Sequence, residues 1–391
     1  MRLLALLLVP LIAACASVSH SAPPPASVAV VFDRDGARPI IVEGLADRET
    51  GRAVTANDPV RIASISKLVM ALAALRLVDE GKVELDRDVS DYLGWQVRHP
   101  NYPEVPVTLA QLLSHRSALR DDAGYVIPLG ESLQAKLAER EAWYAGAPPG
   151  EAPFEYANLG SPVVATVLEA ATGERYDRLV ERTVFAPLGV EACFNWIGCP
   201  PGFAGRAVTL YRANGEIARD DPADRPPNCT IPVADGVECT LDGYVPGTNA
   251  SILSPQGGLR IGMLDLAKIG QQLLAGPDGS LLSIAALGML AQSVAEGEQA
   301  TQSFFCQYGY HFQLIESGKP CDDVLFGDGS AHLGHAGEAY GLRSGLWFDA
   351  EGTEGIAYFT TQVPDRAAPD EGGFAPEEIA LVRRAMAAGR E

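Results

Sequence analysis

Ser64-Ile65-Ser66-Lys67-Leu68-Val69-Met70-Ala71-Leu72-Ala73-Ala74-Leu75-Arg76-Leu77-Val78-Asp79-Glu80-Gly81 is the stretch on which the reading of this chain turns. Leu68, Ala71, Leu72, Leu75 and Val78 recur at helical spacing, and Gly81 supplies a C-terminal cap, so the stretch predicts a helix over Ser64–Glu80. Its apolar residues run nearly all the way round, which predicts a buried helix rather than a surface one. Ser64 and Lys67 sit three apart and are therefore neighbours, about 5–6 Å between Cβ atoms. The first turn also carries N–H groups without helical partners and a partial positive charge, where an oxyanion could form. An apolar setting lowers a lysine pKa toward that of a useful base. One turn thus offers a nucleophile, a base and an electrophilic surface. An N-capping serine and a snorkelling lysine are the bland alternative. Against it, the chain has only five lysines, and Lys67 is the one with Ser three residues earlier.

Outward from this helix the chain alternates in character. Ser27–Phe32, a turn at Asp33–Gly36 and Pro39–Glu43 read as a β-hairpin. Helices follow at Leu109–Ser114, at Ser161–Thr172 ended by Gly173, and at Met263–Leu274. The stretch from Pro200 to Pro255 is rich in Pro, Gly, Asn and Asp, and reads as a disulfide-stapled loop region that forms a lid or wall over a site. Strand signals return at Tyr308–Leu314, Gly345–Phe348 and Ile356–Thr361, and an amphipathic helix closes the chain over Glu377–Ala387. Strands, a helical middle, strands and a closing helix predict an α/β (α+β) fold. One antiparallel sheet forms from the terminal strands, with the helical middle inserted as a second lobe.

Arg2 followed by an apolar run from Leu3 to Ala14 reads as a signal peptide over residues 1–14, too short to span a bilayer. The run ends in Ile12-Ala13-Ala14-Cys15, which resembles a bacterial lipobox. That resemblance implies lipidation of Cys15, a tether over 15–25, and an envelope protein on the periplasmic side, with the outer membrane favoured. A hydrolase domain then occupies 26–391. Of seven cysteines, removing Cys15 leaves an even six, as expected in an oxidising compartment. Nearest-neighbour pairing gives Cys193 with Cys199, Cys229 with Cys239 and Cys306 with Cys321. Other pairings stay open, and each short loop so closed would stabilise by about 2–3 kcal/mol. No metal-ligand spacing is present, so neither a metal nor another cofactor is expected. A net charge of −20 over 391 residues repels phosphate backbones and makes nucleic acid an unexpected partner. The sequence carries no signal for oligomeric state.

Two further motifs share the order of Ser64–Lys67. Tyr156-Ala157-Asn158 follows Pro149-Gly150 and precedes Leu159-Gly160. Gly334-His335-Ala336-Gly337 runs toward Gly341 near the C-terminus. Together these resemble the three signature elements of the class C β-lactamase family, Ser-x-x-Lys, Tyr-x-Asn and Lys/His-x-Gly. That family also holds serine D-Ala-D-Ala peptidases and several esterases. Leu112–Ser117, Pro187-Leu188-Gly189 and Ser254–Leu259 extend the likeness from about Ala26 to the closing helix. The resemblance implies a serine β-lactamase-like fold, with Ser64 attacking a carbonyl to form an acyl-enzyme. Lys67 and Tyr156 would share the proton work, and Asn158 would orient Lys67 and the substrate. The N–H groups of Ser64 and Glu338 would form an oxyanion hole. Gly337 is expected to be glycine so that substrate can lie against its strand. His115 is read as structural, and His99, His311 and His332 carry no spacing signal.

The third element departs from dedicated class C β-lactamases, which resemble this chain elsewhere but carry Lys-Thr-Gly where it has His335-Ala336-Gly337. A histidine is mostly neutral at pH 7, and Ala336 lacks the hydroxyl that would bind a carboxylate. Losing a charge-assisted bond worth about 1.5–3 kcal/mol counts against efficient hydrolysis of anionic β-lactams. Arg260 and Arg343 are the candidate replacement cations. The expectation is an envelope serine hydrolase performing acyl transfer on a small-molecule or peptide ester or amide. A D-Ala-D-Ala carboxypeptidase or a true β-lactamase is the alternative, and a catalytically silent envelope binding protein the third. The membrane would be met through the lipid anchor only.

Overall fold

Ser27–Asp33 (β1) buries side chains on both faces because it lies inside a sheet, which is why it reads as a near-continuous apolar run. In the computed structural model, which describes residues 24–212, 214–218, 229–274, 281–295, 307–316, 324–364 and 373–390, β1 turns back into Ala37–Glu43 (β2). Asp33 Oδ1 accepts the Asp35 and Gly36 N–H groups at 2.8 and 2.9 Å and fixes that turn. Five more strands complete the sheet. They are Gln307–Tyr308 (β3), Gln313–Glu316 (β4), Ala331–Ala339 (β5), Leu342–Asp349 (β6) and Glu354–Thr360 (β7). The order is β2-β1-β7-β6-β5-β4-β3, with every pairing antiparallel. Pro39 lies on edge strand β2, where its missing N–H does least harm.

Among the described residues, five helices have twelve residues or more: Ile65–Asp79 (α1), Gly160–Thr172 (α2), Met263–Leu274 (α3), Ile284–Ala295 (α4) and Pro376–Gly389 (α5). One face of the sheet packs Val28, Val30, Phe32, Leu346 and Phe359 against a core that includes α1 and α3. The other face packs Ala29, Trp347, Ile356 and Tyr358 against Leu381, Val382 and Ala385 of α5. Twelve residues of α1 are buried, Lys67 among them. Each fully buried Leu or Ile there is worth about 1.5–3 kcal/mol over exposure, so the helix is a fixed support for whatever its first turn carries.

The chain between β2 and α3 forms the inserted lobe, with α2 and several short helices. It also contains a small antiparallel sheet in which Leu259–Ile261 pairs with both Val60–Arg61 and Ala192–Phe194. That sheet ties the two ends of the lobe together beside α1. Ile62 N–H donates to Leu259 O at 3.1 Å, and Leu259 N–H donates to Ser66 Oγ at 3.2 Å.

Cys193–Cys199 and Cys229–Cys239 form disulfides, with Cα separations of 5.0 and 5.6 Å. Of the two, only the second lies within Pro200–Pro255. Cys306 and Cys321 lie outside the described residues, as do the signal-peptide and lipobox readings that end at Cys15 and most of the tether. The strand expected over Tyr308–Leu314 is two short strands broken at 309–312, where His311 takes a positive φ of 54° and bends the chain. Helix α4 had no counterpart in the sequence reading.

Candidate active site

Ser64 stands at the N-terminus of α1 with helical dihedrals, and its hydroxyl caps no backbone group. The N-capping alternative therefore does not apply. Ala63, just before it, has φ +48°, a sparsely populated conformation for a residue with a side chain. Ser66, by contrast, points away from the site. Its Oγ donates to Ala63 O at 2.7 Å and accepts from Leu259, holding the turn in place.

Lys67 is fully buried. Its Nζ lies 2.8 Å from Asn158 Oδ1, 2.9 Å from Gln256 O and 3.3 Å from Ser64 Oγ. Burial pulls its pKa down to about 7, partly opposed by the charge of Asp121. A neutral amine has two N–H donors and one lone pair. With its two donors on Asn158 and Gln256, both of which can only accept there, the lone pair is left for the Ser64 hydroxyl.

Asn158 can be assigned in the same way. Its Nδ2 donates to Asp121 Oδ2 at 2.9 Å, so Oδ1 must face Lys67. Asp121 also accepts the backbone N–H groups of Asn158 and Leu159 at 3.0 and 2.9 Å, which fastens the start of α2. Asp121 had no signal in the sequence, because one loop aspartate resembles any other turn residue.

Tyr156 is hydrogen-bonded to the Ser64 side chain, and its ring centroid is 4.8 Å from Lys67 Nζ. Burial holds its phenol well above its ordinary pKa, so at neutral pH it is a protonated phenol and not a phenolate. His115 supports it from behind, with ring centroids 4.5 Å apart and His115 Nδ1 accepting the Ala157 N–H at 3.2 Å.

The third element lies on β5. Ala336 N–H leaves the ladder and donates to Gln313 Oε1 at 3.0 Å. By the two-residue period of a strand, the Glu338 N–H points to the same open edge, toward the cavity. The glycine at 337 has a different reason from the one expected. A Cβ there would come within 2.3 Å of Ile62 O and 2.4 Å of Ser344 Oγ. Protein, not substrate, fills that space, and Ser344 Oγ donates to the same Ile62 carbonyl at 3.0 Å. His335 is buried with both nitrogens engaged, Nε2 at 2.8 Å from Tyr308 Oη and Nδ1 at 2.6 Å from Ala336 O. Burial, then the charge on Lys67, brings its pKa down to about 3, so it is neutral at pH 7.

These groups meet at a cavity of about 510 Å³, the size of a small-molecule site. Ser64, Tyr156, Asn158, His335, Gly337 and Glu338 line it, joined by Arg61, Tyr125 and Val126, which the sequence did not single out. Arg343 also lines it and is ion-paired with Glu338. Arg260 is not in the cavity wall. It is buried under Trp196 and donates to Gly258 O at 2.6 Å. From Pro200–Pro255, Ser254 reaches the cavity, while Asn249 and Ser251 brace the Tyr125–Val126 wall from behind. Asn249 Nδ2 donates to Ile127 O at 3.0 Å, and Ser251 Oγ accepts Ile127 N–H at 2.9 Å.

The family model described as Beta-lactamase matches residues 26–375. Penicillin-binding protein 4 of Amycolatopsis lactamdurans is 26% identical over 83% of this chain and 77% of its own length. Esterase EstB of Burkholderia gladioli is 34% identical, over 39% of this chain and 42% of that protein. Among solved structures, the D-amino acid amidase from Ochrobactrum anthropi SV3 in complex with L-phenylalanine amide superimposes with a TM-score of 0.66. It is 20% identical and covers 94% of each chain, a likeness of fold.

Proposed function

The chain belongs to the beta-lactamase family and is a serine acyl-transfer hydrolase, and we propose that Ser64 is its nucleophile and Lys67 its acylation base. The observation that carries this reading is the Lys67 amine, fully buried, with two acceptors and the Ser64 hydroxyl around it. A substrate carbonyl placed in the cavity is attacked by Ser64 Oγ as the hydroxyl proton passes to neutral Lys67 Nζ. The oxyanion is held by the N–H groups of Ser64 and Glu338. Tyr156 gives a proton to the leaving group and is resupplied with the proton that Lys67 took from Ser64, so the leaving group departs, Lys67 is neutral again and an ester remains on Ser64. Water then attacks that ester with the same base assisting, and the acid product leaves.

The neutral His335 favours an ester or an amide without an anion at that wall. Peptidase action on a peptidoglycan-type peptide is the second reading, favoured by the likeness to a penicillin-binding protein along most of the chain. We place the enzyme on the periplasmic side of a bacterial envelope, anchored through Cys15. The apolar run ending in Ala13-Ala14-Cys15 and the two disulfides support that placement.

The test is to incubate the mature protein with a fluorescent penicillin and with nitrophenyl esters, and to follow Ser64 by mass spectrometry. A covalent adduct and ester turnover that both vanish in Ser64→Ala are expected. Unchanged turnover in that variant would overturn the assignment. Labelling without turnover would favour the peptidase, and ester turnover without labelling the esterase.

A further inference from the structure

We infer that Tyr308 is a positioning residue that sets specificity: its hydroxyl takes the Nε2 lone pair of His335 while the Ala336 carbonyl holds the proton on Nδ1, and the ring so locked gives the cavity an uncharged wall that disfavours anionic acyl donors. The substrate half of this inference rests on the reading of Ser64 as the acylated residue. The tautomer half stands on the hydrogen bonds and on the burial that keeps the ring neutral.

The tautomers follow from what each partner can do. A carbonyl oxygen only accepts, so His335 Nδ1, 2.6 Å from Ala336 O, carries a proton. In a neutral imidazole Nε2 then holds a lone pair, and Tyr308 Oη at 2.8 Å must be the donor. That leaves the Tyr308 oxygen to accept from His311 Nδ1, 3.3 Å away. The Nε2 of His311 becomes an acceptor by the same count. On the near side His115 Nδ1 accepts the Ala157 N–H, so its Nε2 is a donor. Among the described residues both of these Nε2 atoms are buried without a partner, one donor and one acceptor, in rings whose centroids are 5.0 Å apart.

Tyr308, His311 and His335 are each 2% exposed or less, so water does not compete for these bonds. The groups packed around His335 are the rings of Tyr156 and Tyr308, with His115 and His311 behind them. The charged group acting on it is Lys67, which below about pH 7 is a cation that opposes a second positive charge. Burial and the neighbouring imidazoles hold His115 and His311 neutral as well. Arg343, on the adjoining strand, has its charge met by Glu338. His335 therefore lines the cavity as a satisfied, uncharged surface with no nitrogen left for a substrate carboxylate.

The experiment uses the uniformly ¹⁵N-labelled mature chain and long-range ¹H–¹⁵N correlation spectra, with His335 assigned by its loss in His335→Gln. The expected result is one protonated and one unprotonated nitrogen, unchanged from pH 5 to 8 and the same in Ser64→Ala. In Tyr308→Phe, His335 keeps its proton on Nδ1, held by Ala336 O, while the unprotonated Nε2 loses its hydrogen-bond donor and its ¹⁵N resonance moves downfield. A wild-type His335 that titrates with an ordinary midpoint, or a Tyr308→Phe spectrum indistinguishable from wild type, would overturn the lock. The wild-type titration decides this even if Tyr308→Phe does not fold.

Specificity is read with 4-nitrophenyl acetate and its 3-carboxylate. In wild type the kcat/KM ratio of neutral to anionic ester is flat from pH 5.5 to 8. In His335→Lys, which puts a cation at that wall, it falls roughly tenfold. A ratio that does not move in that variant would refute the specificity half. Turnover surviving in Ser64→Ala would count against the nucleophile assignment, and the spectra would then decide the lock by themselves.

Discussion

Lys67 and His335 are both basic side chains buried beside the same cavity, and burial shifts both pKa values downward, to about 7 and about 3. The outcomes differ because of what surrounds each nitrogen. Lys67 has acceptors for two N–H groups and a hydroxyl opposite its lone pair, so desolvation turns it into a usable base at neutral pH. His335 has one nitrogen on a carbonyl and the other on a phenol, so desolvation makes it inert wall. Burial by itself does not make a buried base reactive; the pattern of partners does.

The largest effect that would break this contrast is on the lysine side. Lys67→Met is expected to lower kcat/KM for a nitrophenyl ester at least about a thousandfold, since nucleophile and base act as one unit. The same variant should melt at or above the wild-type temperature. The folded-state pKa of Lys67 lies below its unfolded value near 10.5, so the folded chain resists a proton that the unfolded chain binds. The resulting penalty is fully present below about pH 7 and fades as pH rises toward 10.5. An activity loss matched by a large drop in melting temperature would make Lys67 a structural residue.

A smaller effect sharpens the contrast through Asp121. Asp121→Asn removes the acceptor-only group that fixes the Asn158 amide, and kcat should fall roughly ten- to a hundredfold with KM little changed. Asp121 also raises the Lys67 pKa by its charge, so its neutralisation should move the midpoint of the pH–rate profile to lower pH. A purely structural defect would lower the rate without moving that midpoint.

Much of this was legible in the sequence where chemistry and periodicity coincide. The buried helix, Ser64, Lys67, Tyr156 and Asn158 are one-dimensional patterns, and the structure brings the four side chains together. The parts that were not legible have separate causes. Asp121 and Tyr308 reach the site by tertiary contact, and nothing in their own neighbourhoods marks them. Gly337 was assigned the wrong neighbour because the strand's register, which sequence does not give, decides which face a Cβ would meet. Tyr308–Leu314 reads as one strand by composition, yet the bend at His311 breaks it into two. Arg343 was a candidate cation from sequence, and its partner Glu338 is visible only across the β5–β6 pair.

The most direct measurement is the pH dependence of kcat/KM for a neutral nitrophenyl ester between pH 5 and 9.5, in wild type. Acylation by a neutral Lys67 predicts a single rise with pH, half-complete near 7, where the amine loses its proton. A profile flat across that range, or one still rising at pH 9.5 toward the ordinary lysine pKa near 10.4, would contradict Lys67 as the base.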